Sequence, residues 1–373
     1  MFWQAKNILD GRGNNLGSGQ VRLDREGHII ELVDRIDSKY NVYEFLSPAF
    51  INSHCHLELS HLKRAIPEGT GIPGFIQKVQ RFRNTDRDMV KMAASAADYA
   101  MKAYGTIAVG DISNSPVTME VKLKSSLRYH TFVESFGFDP KMASEIAKKN
   151  EQLVKAFREK GLSATGVPHA PYSVSSDLIK YLLKENFEPK CIHMQESLAE
   201  DDFIREGKGE LTGALKTLGV DLQNHQGKQV SPLLYMLSQI RNDQKILFVH
   251  GTMTQTAEMD LIKSDFPNAA FCACPRANLY IEETLPDYPG FHKSGLKMLI
   301  GTDSLASNYD LDIWAEIETI QNHYPEIPFE EIIAWATGNA ADFFGWDDLG
   351  KIEVGKKPGL LGWKEGGRPR RLV

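Results

Sequence analysis

The 373-residue sequence is poor in cysteine, has no long apolar run and carries no excess of positive charge. Each shortage excludes something. The four cysteines are Cys55, Cys191, Cys272 and Cys274. They lie in apolar, strand-like runs, where a reduced thiol packs as a small hydrophobe. They outline no disulfide framework, and they fit a reducing cytoplasm. Cys272-Ala273-Cys274 lacks the second cysteine pair that a thiolate zinc site requires. No run approaches the ~20 apolar residues of a membrane span. Met1 to Lys6 lack the apolar core of a secretory signal. A cytoplasmic protein with no membrane partner is expected. The net charge of -6 gives no general attraction for nucleic acid. The basic stretch Arg368-Pro369-Arg370-Arg371 is short and reads as a solvated end. No glycine-rich dinucleotide fingerprint follows an early strand, since Gly11-Arg12-Gly13 and Gly17-Ser18-Gly19 read as turns.

What is present begins with Asn52-Ser53-His54-Cys55-His56, which closes an apolar run from Phe45. Strand side chains alternate between faces, so His54 and His56 share a face and Cys55 points away. Two imidazoles so placed can grip a metal ion, although the pair alone also fits a chance at the edge of a core. Further apolar runs end at His193, His250 and Asp303. Strand patterns occur at 46–56, 106–113, 128–135, 163–169, 190–196, 245–251, 269–275 and 297–303. Helical patterns lie between them at 86–104, 139–160, 175–185, 231–241, 254–263 and 311–323, and another follows at 329–344. Thr85 or Asp86 is placed to cap the first. Eight strands alternating with helices predict an α/β fold, a (β/α)8 TIM-like barrel over 46–344. A doubly wound open sheet is the alternative. Residues 1–45 and 345–373 break the pattern with turns and short strands, among them Val21–Leu23 and His28–Val33. They are expected to form one small β-sandwich domain.

Barrel enzymes carry their chemistry at the C-terminal ends of the strands. His54, His56, His193, His250 and Asp303 all fall there. Any one of them is ordinarily a hydrogen-bonded core residue. Five at equivalent positions point to a metal site. Zn²⁺ suits such ligands, and Fe²⁺ and Mn²⁺ are compatible with them.

With these residues the chain resembles the amidohydrolase superfamily over nearly its whole length. The resemblance is carried by Pro48 to His56, His169-Ala170-Pro171-Tyr172-Ser173, His193-Met194-Gln195-Glu196-Ser197, Val249-His250-Gly251-Thr252, Cys274-Pro275 with Asn278, and Gly301-Thr302-Asp303-Ser304. Gly350 to Pro358 is similar to the family's return into its small domain, with Gly359 where the family has Asp. The pattern His193-x-x-Glu196 is similar to that of the mononuclear heterocycle deaminases. His169, and no lysine, ends the fourth strand, which disfavours a bridged binuclear centre. The resemblance implies one Zn²⁺ per chain held by His54, His56, His193 and Asp303. Hydroxide generated there attacks a ring carbon and ammonia leaves. Asp303 takes the proton of the water, His250 bonds the developing oxyanion, and Glu196 protonates a ring nitrogen. Read from position alone, Glu196 is also a carboxylate at a helix N-terminus.

Substrate contacts are expected from Glu58, His61, Glu134, His169 and Ser304, each of which could instead orient a metal ligand. The stretch 66–75, with Gly69, Gly71, Gly74 and two prolines, is a lid or a surface connection. Leu57-Glu58-Leu59-Ser60-His61 and His169 to Ser173 are most similar to deaminases of aminodeoxyfutalosine in menaquinone biosynthesis. This implies a small heterocyclic substrate, such as that compound or a related adenine nucleoside. A chlorohydrolase or a cyclic amide hydrolase on the same scaffold is the alternative. A homodimer is implied by family analogy alone.

Overall fold

In the computed structural model, described over residues 1–184, 188–223 and 225–373, strands and helices alternate through most of the chain. The first four strands are β1 (Phe2–Ile8), β2 (Gly19–Leu23), β3 (Ile29–Val33) and β4 (Tyr43–Pro48). Eight follow: β5 (Phe50–Cys55), β6 (Thr106–Ser113), β7 (Arg128–Ser135), β8 (Ser163–Pro168), β9 (Lys190–Met194), β10 (Ile246–His250), β11 (Ala269–Ala273) and β12 (Met298–Ile300). The last two are β13 (Leu360–Trp363) and β14 (Arg370–Arg371). The expected helix over 175–185 is Ser176–Leu182, and its predicted last residue, Glu185, lies outside the described residues. Among the described residues, no helix is long and apolar enough to cross a membrane.

Strands β5 to β8 and β9 to β12 form two four-stranded sheets in chain order, and every pairing within them is parallel. Helices connect successive strands, as parallel pairing requires. Backbone bonds cross between the two sheets at both edges. The His193 N–H donates to the His169 carbonyl at 2.9 Å and the Thr302 N–H to the His54 carbonyl at 3.0 Å. One apolar cluster takes Ile51, Ala108, Phe132, Val167, Cys191, Leu247, Ala270 and Leu299, one residue from each of these eight strands. The opposite strand faces pack on helices. Val109 and Tyr129, for example, meet Ala94, Ala97 and Met101 of the helix Arg87–Ala103. Asp86 caps that helix by accepting from the Asp88 and Met89 N–H groups.

The chain ends build one six-stranded sheet in the order β14-β13-β4-β1-β2-β3. The expected strand over 46–56 is two strands. Leu46 to Pro48 finish β4 in this end sheet, and Phe50 begins the parallel array. Ala49, directly after the proline that ends β4, is the break between them. The basic tail is also not a free end. Arg370 and Arg371 pair with β13, and Arg368 forms an ion pair with the buried Asp312.

Candidate metal centre

His54 and His56 reach one site through a device that simple alternation does not contain. Ile51 pairs with Ala108 and Asn52 with Val109, but Cys55 pairs with Asp111. One extra residue therefore sits in β5 between Asn52 and Cys55. Such a bulge flips the facing of everything after it. Ile51 joins the cluster shared by the eight strands, yet Cys55 packs on the helix side with Ala94 and Met101. His54 and His56 thus return to the face of Ile51. Gly301 lets the end of β12 close on this turn, because a Cβ there would stand 2.8 Å from the His54 Cβ, N and O atoms. Asp303 follows, bridged to Cys55, with φ of 55°. His193 lies on β9 on the same face as Cys191.

The ligand atoms of His54, His56, His193 and Asp303 all lie within 4.8 Å of one another, and all four residues are buried. His56 Nε2 is 3.1 Å from His54 Nε2, 3.2 Å from His193 Nε2 and 3.2 Å from Asp303 Oδ1. Burial pushes the His54 imidazole down to about 4, and those of His56 and His193 to about 3. Burial alone would raise the Asp303 carboxyl, but His54, His56 and His250 hold it well below the usual carboxylate range. Neutral imidazoles and an ionised carboxylate are the forms a metal binds. His193 Nδ1 lies 3.0 Å from the His169 carbonyl, which fixes the tautomer whose Nε2 lone pair faces the centre. Three Nε2 atoms converging beside one carboxylate fit a divalent cation. The Ser307 hydroxyl donates to the other carboxylate oxygen of Asp303 at 2.5 Å.

A cavity of about 490 Å³ opens on His56, His193 and Asp303. Glu196 and His250 share its wall, with Glu196 Oε1 3.4 Å from His250 Nε2. Alternation from Leu247 and Val249 would turn His250 to the helix side, but it holds φ of 76° and faces the cavity instead. Gln195, with φ of 49°, is a third left-handed non-glycine residue at these strand ends. Such strain collects where side-chain aim matters. Burial, then the nearby charges of Asp303 and Glu200, push the Glu196 carboxyl well above its ordinary range. Burial pushes Glu134 up to about 8.

Of the expected substrate contacts, Glu134, His169 and Ser304 line this cavity. His169 is braced by Ser173 Oγ, 2.7 Å from its Nδ1, and by the ring of Phe136. Glu58 and His61 are not among the described lining residues. Both sit in the short 3-10 turn Leu57–Leu62. The Glu58 carboxylate accepts from the Asn114 N–H at 3.1 Å and the Ser115 hydroxyl at 3.2 Å, so it shapes a neighbouring loop. The stretch 66–75 is an anchored turn running into the helix Gly71–Phe82. The Gly69 N–H donates to the Tyr280 carbonyl and the Tyr280 hydroxyl to the Ile66 carbonyl. Ile72, Phe75, Ile76 and Val79 of that helix line the cavity. Their i, i+3, i+4, i+7 spacing was available in the sequence, hidden behind Gly71, Pro73 and Gly74. Arg83, four residues past Val79 on the same helical face, and Asn114 also line the cavity and are not among the expected contacts.

Known proteins resemble this chain along nearly its full length. An adenosine deaminase of Helicobacter pylori is 26% identical over 324 residues, which is 84% of this chain and 78% of that protein. An aminodeoxyfutalosine deaminase of Nitratiruptor sp. is 26% identical over 358 residues, 90% of this chain and 84% of that protein. The solved structure of Helicobacter pylori aminofutalosine deaminase, in complex with methylthio-coformycin, shares the fold. It superposes with a TM-score of 0.82 at 23% identity, over 97% of this chain and 92% of that one. The sequence model of the amidohydrolase family matches residues 45–369, and the chain belongs to the amidohydrolase family.

Proposed function

We propose that this protein is a metal-dependent aminohydrolase that deaminates an amino-substituted heterocycle and releases ammonia. It is a hydrolase acting on a C–N bond outside peptides. An adenine nucleoside, with aminodeoxyfutalosine as the specific candidate, is the substrate class in keeping with the two deaminase relatives. The observation that carries the reading is one cavity lined by three residues of the four-ligand cluster, His56, His193 and Asp303, and by the Glu196–His250 pair. The two parallel sheets are read as one closed (β/α)8 barrel, supported by the bonds across both edges and the cluster shared by all eight strands. The end sheet is read as a separate small domain.

His54, His56, His193 and Asp303 would hold one Zn²⁺, which His₃Asp donors suit, with Fe²⁺ or Mn²⁺ as alternatives. When bound, the metal supplies a Lewis acid that makes water nucleophilic near neutral pH. The other steps belong to the side chains. Glu196 starts protonated, as its upward-shifted carboxyl favours, and gives its proton to the ring nitrogen beside the attacked carbon. Asp303 takes one proton from the attacking water and passes it to the amino group. His250 Nε2, which has no hydrogen-bond partner among the described residues, bonds the incoming oxygen. As the C–N bond breaks, the new hydroxyl returns its proton to Glu196, and ammonia and a ring carbonyl result. Loss of ammonia needs such a proton carrier more than loss of chloride does, which sets the chlorohydrolase alternative behind. Four free, buried cysteines support a cytoplasmic setting. A homodimer is proposed by family analogy only.

The test is ammonia release by metal-assayed protein from adenosine, S-adenosylhomocysteine, aminodeoxyfutalosine, guanine and cytosine. Efficient turnover of one of them with about one metal per chain is expected. Full metal occupancy with no ammonia from any would overturn the reading.

A further inference from the structure

A glutamate behind the cavity has no part in the chemistry just proposed. Glu200 lies in the first turn of the helix Leu198–Glu206, fully buried. Ser197 caps this helix, its hydroxyl accepting the Glu200 N–H at 3.3 Å. The Glu200 carboxylate turns back, and its Oε2 accepts the Glu196 N–H at 3.0 Å. In a capping box the third helical residue reaches the N–H of the cap residue itself. Here it reaches one residue further, to the residue whose side chain faces the cavity. The preceding residue is held from the other side. Gln195 accepts from the Thr254 hydroxyl at 2.8 Å and donates to Glu258 Oε2 at 3.2 Å. The segment from Gln195 to Ser197, with its left-handed first residue, is therefore pinned at both ends.

Helix capping alone does not account for Glu200. Its Oε1 is buried and has no hydrogen-bond partner among the described residues, which costs stability that a satisfied or apolar side chain would not. An aspartate would keep the charge near the helix start but not the reach.

We propose that Glu200 is a positioning residue, whose carboxylate holds the Glu196 backbone so that the Glu196 side chain meets the ring nitrogen. What Glu196 does for the substrate rests on the aminohydrolase reading. What Glu200 does to Glu196 does not.

The experiment uses full-length, zinc-loaded protein carrying Glu200→Leu, Glu200→Gln or Glu200→Asp. It reads zinc per chain, kcat and KM on the panel compound the parent turns over fastest, and hydrogen exchange of the Glu196 amide by NMR. Glu200→Leu is expected to keep its zinc and its KM, to lose kcat by about tenfold to a hundredfold, and to expose the Glu196 amide to exchange. Glu200→Gln, whose amide oxygen still accepts that N–H, is expected to recover most of both. Parent-like kcat in Glu200→Leu, equal losses in Leu and Gln, or loss of zinc with kcat would each overturn the proposal. If Glu200→Leu does not fold, the comparison passes to Glu200→Asp, which is too short to reach. It should lose kcat where Glu200→Gln does not, and equal values overturn the proposal. If the parent releases no ammonia from any compound, the aminohydrolase reading fails and exchange alone decides. Protection lost in Leu and kept in Gln supports the positioning role, and equal exchange in both overturns it.

Discussion

Two clusters of buried charge lie on opposite faces of the parallel array, the first at the ends of β5, β9 and β12 and the second on β6, β7 and the helix Met119–Lys124. On the face that carries the shared apolar cluster stand His54, His56, His193 and Asp303. On the helix-covered face, Lys122 Nζ lies 2.6 Å from Asp111 Oδ2, with both side chains fully buried. The second cluster is complete. Lys122 also donates to Ser113 Oγ at 2.9 Å and Thr131 Oγ1 at 3.0 Å, so each ammonium proton has an acceptor. The other carboxylate oxygen of Asp111 accepts the Leu57 N–H at 2.7 Å, directly after His56. The first cluster is incomplete. Imidazole nitrogens face one another, and His250 Nε2 and Glu134 Oε1 have no hydrogen-bond partner among the described residues. Burial and charge are common to both. What separates a site from a brace is unsatisfied polar atoms aimed at a cavity.

The largest effect that would test this contrast is removal of the metal. Asp303→Asn or chelation should abolish ammonia release, with metal per chain falling together with turnover. Full activity in metal-free protein would put the chemistry elsewhere. Lys122→Met comes next. It leaves the Asp111 carboxylate buried without its cation, at a cost of about 3–5 kcal/mol in urea unfolding. The double change Asp111→Leu with Lys122→Met should recover much of that, because replacing a buried pair costs less than breaking it. A single-variant loss below about 1 kcal/mol would mean the brace is solvated in reality. Glu196→Gln should bind metal normally and lose about 10²-fold or more in kcat. Its denaturation midpoint should hold or rise, because burying a neutral amide costs less than burying a carboxyl that can ionise. Normal turnover would remove Glu196 from the chemistry.

Much of the inner cluster is legible in the sequence, because each ligand ends an apolar run and the runs recur with helices between them. His56, His193, His250, Asp303 and Glu196 all line one cavity, and His54 stands buried against His56. The extent of β5 is less legible, since an unbroken apolar run conceals the passage from the end sheet at Pro48 to the parallel array at Phe50. The helix Gly71–Phe82 is hidden because its first turn is rich in glycine and proline, which local reading assigns to loops. Glu58 follows the metal-binding strand and so looks like a substrate contact. The 3-10 turn after His56 carries the Glu58 carboxylate to the Asn114 N–H and the Ser115 hydroxyl, beside the cavity wall. Asn114 and Val220 reach the cavity by tertiary packing alone. No spacing within the chain encodes that.

The smallest expected effect is also the sharpest test of strand facing. Cys55 stands between two metal ligands, where a thiolate would be a natural fifth donor. Strict alternation from Ile51 puts Cys55 on the metal face and His54 on the helix face. The bulge after Asn52 reverses both assignments. It leaves Cys55 fully buried against Leu57, Ala94 and Met101. Burial first, then the carboxylates of Asp111 and Asp303, push its thiol well above the ordinary range, so no thiolate forms near neutral pH. Cys55→Ala should therefore keep its metal content and turnover, and lose about 1 kcal/mol of stability for one deleted core atom. Metal lost from that variant would place the sulfur on the metal face. The extra residue in β5, and the aim of both histidines that depends on it, would then be wrong.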